Sequence, residues 1–392
     1  MKILIISQSF LPKPCGGAEI MVYQECDFLS KDYDVLLFTS RSCKNIQSYL
    51  KFPIKKYLPM TYLTQRFGWL GKFYLKWQLK VLQNRHNFDV WHIHFAFPFA
   101  NIAVPLAKQL NIPSVVTCHG GDILINKSIN YGYRCSINLK NDIQKTLLIA
   151  DAVVAISKTM QNELLTIGVN QANVHLIPNG INIERFKKVD SSNVYQSYRC
   201  TKTDNIILCV GRNSAEKGQI ILLDALQLLK NQGVHFVCIF VGQNIQALDT
   251  EINNRSLQND VRLLDTIYSN WSAGEYDLPP NELICLYKIS SVVIVPSLSE
   301  AFGLTALEAF ASGSLVIASD IGGLKELVEH GKNGFLFPVN DSDALAYYIK
   351  KVLYMDNKLR CKLIAKSLLT AKKYSREIMM EKHILLFKKL RS

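Results

Sequence analysis

Residues 291–319 read SVVIVPSLSEAFGLTALEAFASGSLVIAS. The apolar run 292–295 stops at Pro296, which cannot donate to a sheet ladder, so it reads as a short buried strand. Glu300 falls in the loop that follows. Gly303 lets the chain turn into a helix that runs to about Ser312, where Gly313 serves as a C-terminal cap. A second apolar run at 315–318 then repeats the strand signal. Strand, loop, helix and strand in that order form the building unit of a parallel sheet.

The same unit recurs along the chain. Residues 3–6, 35–38, 90–93, 114–117 and 152–156 form one set of strand-like runs, and 206–210, 236–241, 292–295 and 315–318 form another. A polar, irregular stretch around 182–204 separates them. The expected fold is therefore α/β, with two Rossmann-like parallel-sheet domains. The first domain is expected over 1–182 and the second over 183–370. A closing helical segment, 371–392, either packs back on the first domain or lies on the surface of the second.

At 392 residues, with 48% apolar and 20% charged side chains, the chain is long enough for two cores and lacks the composition of a disordered protein. Ten cysteines occur without a C-x-x-C pair, and MKILIISQSF has too short an apolar run for a signal peptide. Reduced thiols and a cytoplasmic location are expected. The longest apolar stretch, 93–107, is broken by His94, Pro98, Asn101 and Pro105, so no membrane-spanning helix is expected.

Open α/β sheets bind ligands beyond the carboxyl ends of their strands, so the residues that follow each strand carry the chemistry. After the first strand, Gly16 and Gly17 in CGGAE allow close backbone approach at a helix start, which is an anion site. The sequence is neither a Walker A motif nor G-x-G-x-x-G, which removes support for nucleotide hydrolysis and dinucleotide redox chemistry. After 114–117, CHGGD places His119 at a strand end, able to donate to a sugar hydroxyl or a developing oxyanion. His92 and His94 lie nearby, but no carboxylate or cysteine completes a zinc ligand set in the local sequence. In GRNSAEKGQ, Arg212 and Lys217 offer a fork and a point charge to a diphosphate. Glu300 and Glu308 bracket the start of the helix described above. Glu308, inside an apolar run, requires a partner, and a ribose hydroxyl pair would be one. Asp341-Ser342-Asp343 resembles a metal-binding D-x-D but precedes a helical run, and so reads as an N-cap.

Taken in order, GGAE (16–19), HGGD (119–122), the loop at Ser157, PNGIN (178–182), Gly211-Arg212, Lys217-Gly218, the 300–308 glutamate pair, ASDIGGLKELV (318–328) and KNGFLF (332–337) resemble the retaining family 4 glycosyltransferases of the GT-B fold. The resemblance covers nearly the whole chain. It implies two domains facing across a cleft, the second binding a nucleotide-diphosphate sugar and the first selecting the acceptor; a UDP-linked donor is the expectation. It also implies roles residue by residue. Arg212 and Lys217 would hold the diphosphate, Glu308 would accept from the ribose, and Glu300 and His119 would act at the donor sugar. Gly16 and Gly17 would approach the diphosphate, and Phe302, Gly303 and Leu304 would form the helix start that receives it. No metal and no cofactor other than the donor are implied. Two departures stand out: Asn182 replaces a common acidic residue, and 265–280, which normally borders the base, is longer and lacks the usual strand-end glycine.

The net charge of +13 is uneven. Residues 1–190 hold 22 basic against 12 acidic side chains, an excess of ten. Residues 51–88 contain eight Lys or Arg and no acid, interleaved with aromatics, and Lys72, Lys76 and Lys80 share one helical stripe. Docking on an anionic membrane surface beside a lipid-linked glycan acceptor is the expectation, against a plain solvated face with buried aromatics. Nucleic acid fits poorly with a site built for one diphosphate. The expected activity is transfer of a hexose or N-acetylhexosamine to a lipid-carried surface polysaccharide, as in lipopolysaccharide or capsule biosynthesis. The alternatives are a sugar-nucleotide epimerase of the same shape and a non-catalytic glycan-binding protein.

Overall fold

The computed structural model describes residues 1–8, 10, 16–40, 50–57, 69–191, 195, 198, 200–201, 203–267 and 278–391, the side chains of Ser40 and Tyr57 excepted. The chain divides into two units: Met1–Asn179 with Glu377–Ser392, and Gly180–Arg376. The division therefore falls three residues before the expected boundary at 182. It follows the backbone: Ile181 pairs with the chain near Ser375, with Ile181 N–H donating to the Tyr374 carbonyl at 3.0 Å and Arg376 N–H to the Ile181 carbonyl at 2.9 Å. A Cβ on Gly180 would lie 2.4 Å from the Ser375 carbonyl oxygen, so these two crossing segments lie backbone to backbone.

The first unit holds β1 (Lys2–Ile6), β2 (Asp34–Ser40), β3 (Ile54–Tyr57), β4 (Val90–His94), β5 (Ser114–Cys118), β6 (Ala152–Ala155) and β7 (Val174–Leu176). They form one parallel sheet in the order β3-β2-β1-β4-β5-β6-β7, with Ile5 opposite both Leu37 and His92. The second unit holds β8 (Ile206–Val210), β9 (Val237–Val241), β10 (Val261–Leu264), β11 (Val292–Val295), β12 (Val316–Ser319) and β13 (Phe335–Phe337), parallel in the order β10-β9-β8-β11-β12-β13. Central strands such as β1, β4 and β11 are buried along nearly their whole length, because helices cover both faces of a parallel sheet. Strand order reverses between β1 and β4 and between β8 and β11, which makes those two points the natural ligand crevices.

The helix read from residues 304–312 runs over Leu304–Ser312, between Gly303 at φ +102° and Gly313 at φ +80°. Ala306 through Ala311 are all buried, so the apolar residues on every side of this helix are explained by packing all round. After it come helices Ser342–Leu353 and Asn357–Lys373, both in the second unit. Asp341 is an N-cap, its carboxylate accepting from Ala344 N–H at 2.8 Å. The last helix, Arg376–Arg391, lies almost wholly in the first unit. There His383 and Phe387 pack against His92, tilted and edge-on respectively, each with ring centroids 5.3 Å away, and Arg391 reaches Asp89 at 3.3 Å.

The loop after β11 is held from two sides by backbone contacts that only glycine permits. At Gly218, φ is +64° and a Cβ would sit 2.0 Å from the Pro296 carbonyl oxygen. At Gly322, φ is +50° and a Cβ would sit 2.0 Å from the Glu300 carbonyl oxygen. Gly218→Ala should therefore cost about 2–4 kcal/mol in the unfolding of the second unit. Gly233→Ala is the control, since Gly233 also has positive φ (+71°) but nothing within 4 Å of its Cβ position. Only the backbone strain, about 1 kcal/mol, is expected there. Urea titrations of the two variants against the parent check the difference, and equal losses would contradict the close-approach argument.

Candidate functional site

In the second unit the loops after β8 and β11 meet at the switch point. Arg212 Nη2 lies 2.7 Å and Nε 3.2 Å from Glu216 Oε1, and Gln219 Nε2 donates to the Arg212 carbonyl at 2.8 Å. The guanidinium is half exposed while Glu216 is buried, so the carboxylate serves as an anchor that aims the cation outward. Lys217 Nζ donates to Glu300 Oε2 at 2.8 Å, and Ser297 Oγ donates to the same oxygen at 3.3 Å. Glu216 and the direct Lys217–Glu300 pairing are absent from the sequence reading. The two halves of the pair are 83 residues apart, and only the sheet order brings them together.

The start of helix Leu304–Ser312 lies beside them. Thr305 Oγ1 reaches the Val210 carbonyl at 3.5 Å, tying the first helical turn to the end of β8. Gly303 supplies no side-chain cap, so the first-turn amides have no side-chain acceptor at that position. Phe302 is buried against Tyr374, ring centroids 5.7 Å apart, and holds the turn in place. Two cations and an uncapped helix start at a switch point suit a diphosphate.

Glu308 lies farther along that helix, buried, and accepts from the Tyr287 hydroxyl at 2.8 Å. The partner that its burial demands is thus supplied in part from helix Asn281–Ile289. Burial pushes the Glu308 carboxyl up to about 7, with the tyrosine bond pulling in the opposite direction. A depression lined by Asn182, Arg185, Lys188, Asn281 and Cys285 also occurs in this unit but shares no residue with the constellation. Of the stretch 265–280, residues 268–277 lie outside the described residues.

In the first unit, a buried polar network underlies the HGGD turn. Glu25 Oε1 is 2.6 Å from His92 Nδ1, and His92 Nε2 is 2.7 Å from Thr117 Oγ1. Glu25 Oε2 is 3.2 Å from His94 Nε2, off the hydrogen-bond axis, and His94 Nδ1 is 2.9 Å from His119 Nε2. The local sequence offers no carboxylate to His92 and His94, and the fold supplies one, Glu25. It comes from helix Gly17–Leu29, 67 residues earlier than His92. The signal was present in the sequence: Met21, Glu25 and Leu29 recur every four residues, which puts a carboxylate in the buried stripe of a helix. Donor atoms of Glu25, His92 and His94 lie within 4.8 Å of one another and are the set that could hold a cation among the described residues. The 2.6 Å contact is hydrogen-bond length, and the second nitrogen of each ring is engaged, so the geometry is that of a hydrogen-bond chain.

The protonation pattern follows from this chain. Burial drives the Glu25 carboxyl up, but the adjoining His92 and His94 rings hold it well below the usual carboxylate range. Burial lowers His94, and burial with the neighbouring imidazoles drives His119 well below the usual histidine range, so both rings are neutral near pH 7. His94 Nδ1 and His119 Nε2, 2.9 Å apart, share one proton between them. That contact engages Nε2 of His119, so Nδ1 is the ring nitrogen that a ligand would meet. Asp122 fixes the turn, accepting from the His119, Gly120 and Ala96 amides at 3.0, 2.9 and 2.9 Å.

Gly16 is the N-cap of helix Gly17–Leu29, and its amide donates to Glu19 Oε2 at 2.9 Å. That amide is therefore occupied within the chain. Residues 11–15, which precede it, lie outside the described residues.

The raised Glu308 carboxyl makes stability depend on pH. The folded state binds the proton more tightly than the unfolded chain, whose carboxyl titrates near 4.5, so stability falls as pH rises from about 5 through 7. The span is worth about 3 kcal/mol. Glu308→Gln keeps an acceptor for Tyr287 and removes this dependence. Its melting temperature should match the parent at pH 5 and exceed it by on the order of 5 °C at pH 8. Scanning calorimetry at both values checks the sign, and a variant less stable than the parent at pH 8 would refute it.

Comparison with known proteins finds a family match for each half of the chain. The model described as "Glycosyltransferase Family 4" matches residues 15–185, and "Glycosyl transferases group 1" matches 193–368, the two together spanning most of the chain. N-acetyl-alpha-D-glucosaminyl L-malate synthase of Bacillus anthracis is 25% identical over 273 residues, 69% of this chain and 66% of that protein. The amylovoran biosynthesis glycosyltransferase AmsK of Erwinia amylovora is 27% identical over 279 residues, 68% of this chain and 62% of that protein. The chain thus spans slightly under two thirds of the length of both. Among solved structures, Anabaena Alr3699/HepE in complex with UDP-glucose superposes with a TM-score of 0.80 at 21% identity, covering 99% of this chain and 100% of that one. Two parallel-sheet units with this motif order, matched in each half by its own family model, make the chain a member of the family 4, group 1 glycosyltransferases of GT-B fold.

Proposed function

We propose that the protein transfers a hexose or N-acetylhexosamine from a UDP-linked sugar to a lipid-carried surface glycan, with retention of anomeric configuration and without a metal ion. The observation that carries the donor half is the convergence of Arg212, Lys217, Glu300 and the uncapped helix start at the β8/β11 switch point. Arg212 and Lys217 offset the diphosphate charge, and the first-turn amides of Leu304–Ser312 receive a phosphate oxygen. With two fixed cations and a helix terminus, the leaving group is stabilised as its negative charge develops. Glu308, as carboxylate, accepts from the ribose hydroxyls, and Glu300 contacts the sugar. His119, through Nδ1, hydrogen-bonds a sugar hydroxyl beside the reacting carbon. In the transfer step the bond from the anomeric carbon to the β-phosphate oxygen breaks while the acceptor oxygen bonds on the same face. The acceptor's proton passes to the departing phosphate oxygen.

The UDP reading is supported by the complex of Anabaena Alr3699/HepE with UDP-glucose, and the glycan reading by the name of the amylovoran relative. A small soluble acceptor is the second reading, favoured by relatives named as a glucosaminyl malate synthase and as D-inositol 3-phosphate glycosyltransferases. A thermal-shift screen of nucleotide sugars identifies the donor, because a ligand that binds only the folded state raises its melting temperature.

Two variants separate the roles at the ion pair. Glu300→Ala should leave UDP affinity within about threefold, since the cation is kept, and lower turnover by at least about 100-fold. Lys217→Ala should weaken UDP binding by roughly 10–100-fold, the loss of one charge-assisted contact. Calorimetry with UDP and a turnover assay on both decide the matter, and equal loss of binding in the two would contradict the assignment. Turnover should also persist in excess chelator; abolition there, restored by a divalent cation, would refute the metal-free reading.

A further inference from the structure

Helix Trp69–His86 is apolar on two opposite faces. Gly71, Leu75, Leu79 and Leu82 form the buried face. Roughly 200° round the helix, at 100° per residue, a second apolar row comprises Trp69, Leu70, Phe73, Trp77 and Val81. These side chains are exposed: 74% for Trp69, 64% for Phe73 and 54% for Trp77. Lys72, Lys76 and Lys80 flank this row on one side and are exposed, with no ion pair among the described residues. The helix has no acidic residue.

The structure also sorts the aromatics of the acid-free stretch 51–88. Phe52 and Phe88 belong to the core, whereas Trp69, Phe73 and Trp77 face solvent. Residues 58–68, including Tyr62, Arg66 and Phe67, lie outside the described residues. A solvated face would be polar, and a buried face would not carry a row of lysines. Two tryptophans and a phenylalanine on one stripe, with cations along its flank, match the boundary between lipid headgroups and acyl chains, where aromatic rings insert and lysines meet anionic headgroups.

We propose that this outer face is a docking surface for an anionic lipid bilayer, with the helix lying in the plane of the interface. The proposal goes beyond the transfer reaction and is tested without it, using vesicles that carry no glycan. Purified protein is floated with phosphatidylcholine vesicles, with and without phosphatidylglycerol, at low and moderate salt. Co-flotation with the anionic vesicles, weakened by salt, is expected. Tryptophan emission should shift to the blue on binding, and Trp77→Phe should reduce that shift.

A triple variant, Lys72→Glu, Lys76→Glu and Lys80→Glu, should lower partitioning on the order of 100-fold. The double variant Phe73→Gln and Trp77→Gln should lower it on the order of tenfold or more. All these side chains are exposed, and unchanged melting temperatures confirm that the variants fold. The proposal fails if the parent stays with the soluble fraction at low salt, if zwitterionic vesicles bind it equally, or if both variants partition like the parent. It also fails if light scattering shows a dimer that the Phe73/Trp77 variant dissociates, since the apolar row is then an interface between copies.

Discussion

Backbone contact between loops is the constraint on which the second unit's chemistry depends. The turn after β8 and the turn before Leu324–Leu327 each press a glycine against the segment 296–300, at distances that leave no room for a Cβ. With Pro296 and Glu300 fixed in this way, the Glu300 carboxylate and the Lys217 ammonium are brought to hydrogen-bond distance, and Gly303 directs the helix start to the end of β8. The charged groups are thus placed by the backbone, and the ion pair need not hold the loops together. A partly exposed pair of this kind contributes little to stability by itself.

Both units bury a carboxylate on the inner face of a helix and compensate it differently. Glu25 is met by two imidazoles, which keep it ionised in surroundings that would otherwise favour the protonated acid. Glu308 is met by a single hydroxyl, which is weaker, and its carboxyl therefore titrates near neutrality. The first arrangement suits a fixed charge beneath the HGGD turn. The second suits an acceptor that is completed by a ligand's hydroxyls. In each case the helix tolerates the charge because the surrounding residues over-determine its position.

Nine strands were legible as apolar runs, and the four that were not are β3, β7, β10 and β13. These are the four edge strands of the two sheets. An edge strand has one neighbour and one partly exposed side, so it need not be continuously apolar; IKKY and VRLL carry charges for that reason. The motif residues were legible because glycines and charged side chains interrupt an otherwise apolar pattern at strand ends. Glu216 and Tyr287 were not, since each looks like an ordinary helical or turn residue until its distant partner is known, and for Glu25 the apolar stripe shows burial but not the histidines it meets.

The sequence by itself determined that there are two parallel-sheet units, that the closing segment is helical, and which strands end in loops rich in glycine and charge. Period and punctuation are local properties, and they survive in one dimension. Tertiary structure decided which charges meet, which protons are committed and which apolar residues remain in water. Lys217 and Glu300 pair, His119 meets His94, and Trp69, Phe73 and Trp77 face outward because sheet order and packing join segments tens of residues apart. Burial belongs to the folded surface: Leu75 and Trp77 are both apolar helical residues in one short stretch, and only the neighbours that cover one and leave the other bare distinguish core from contact surface.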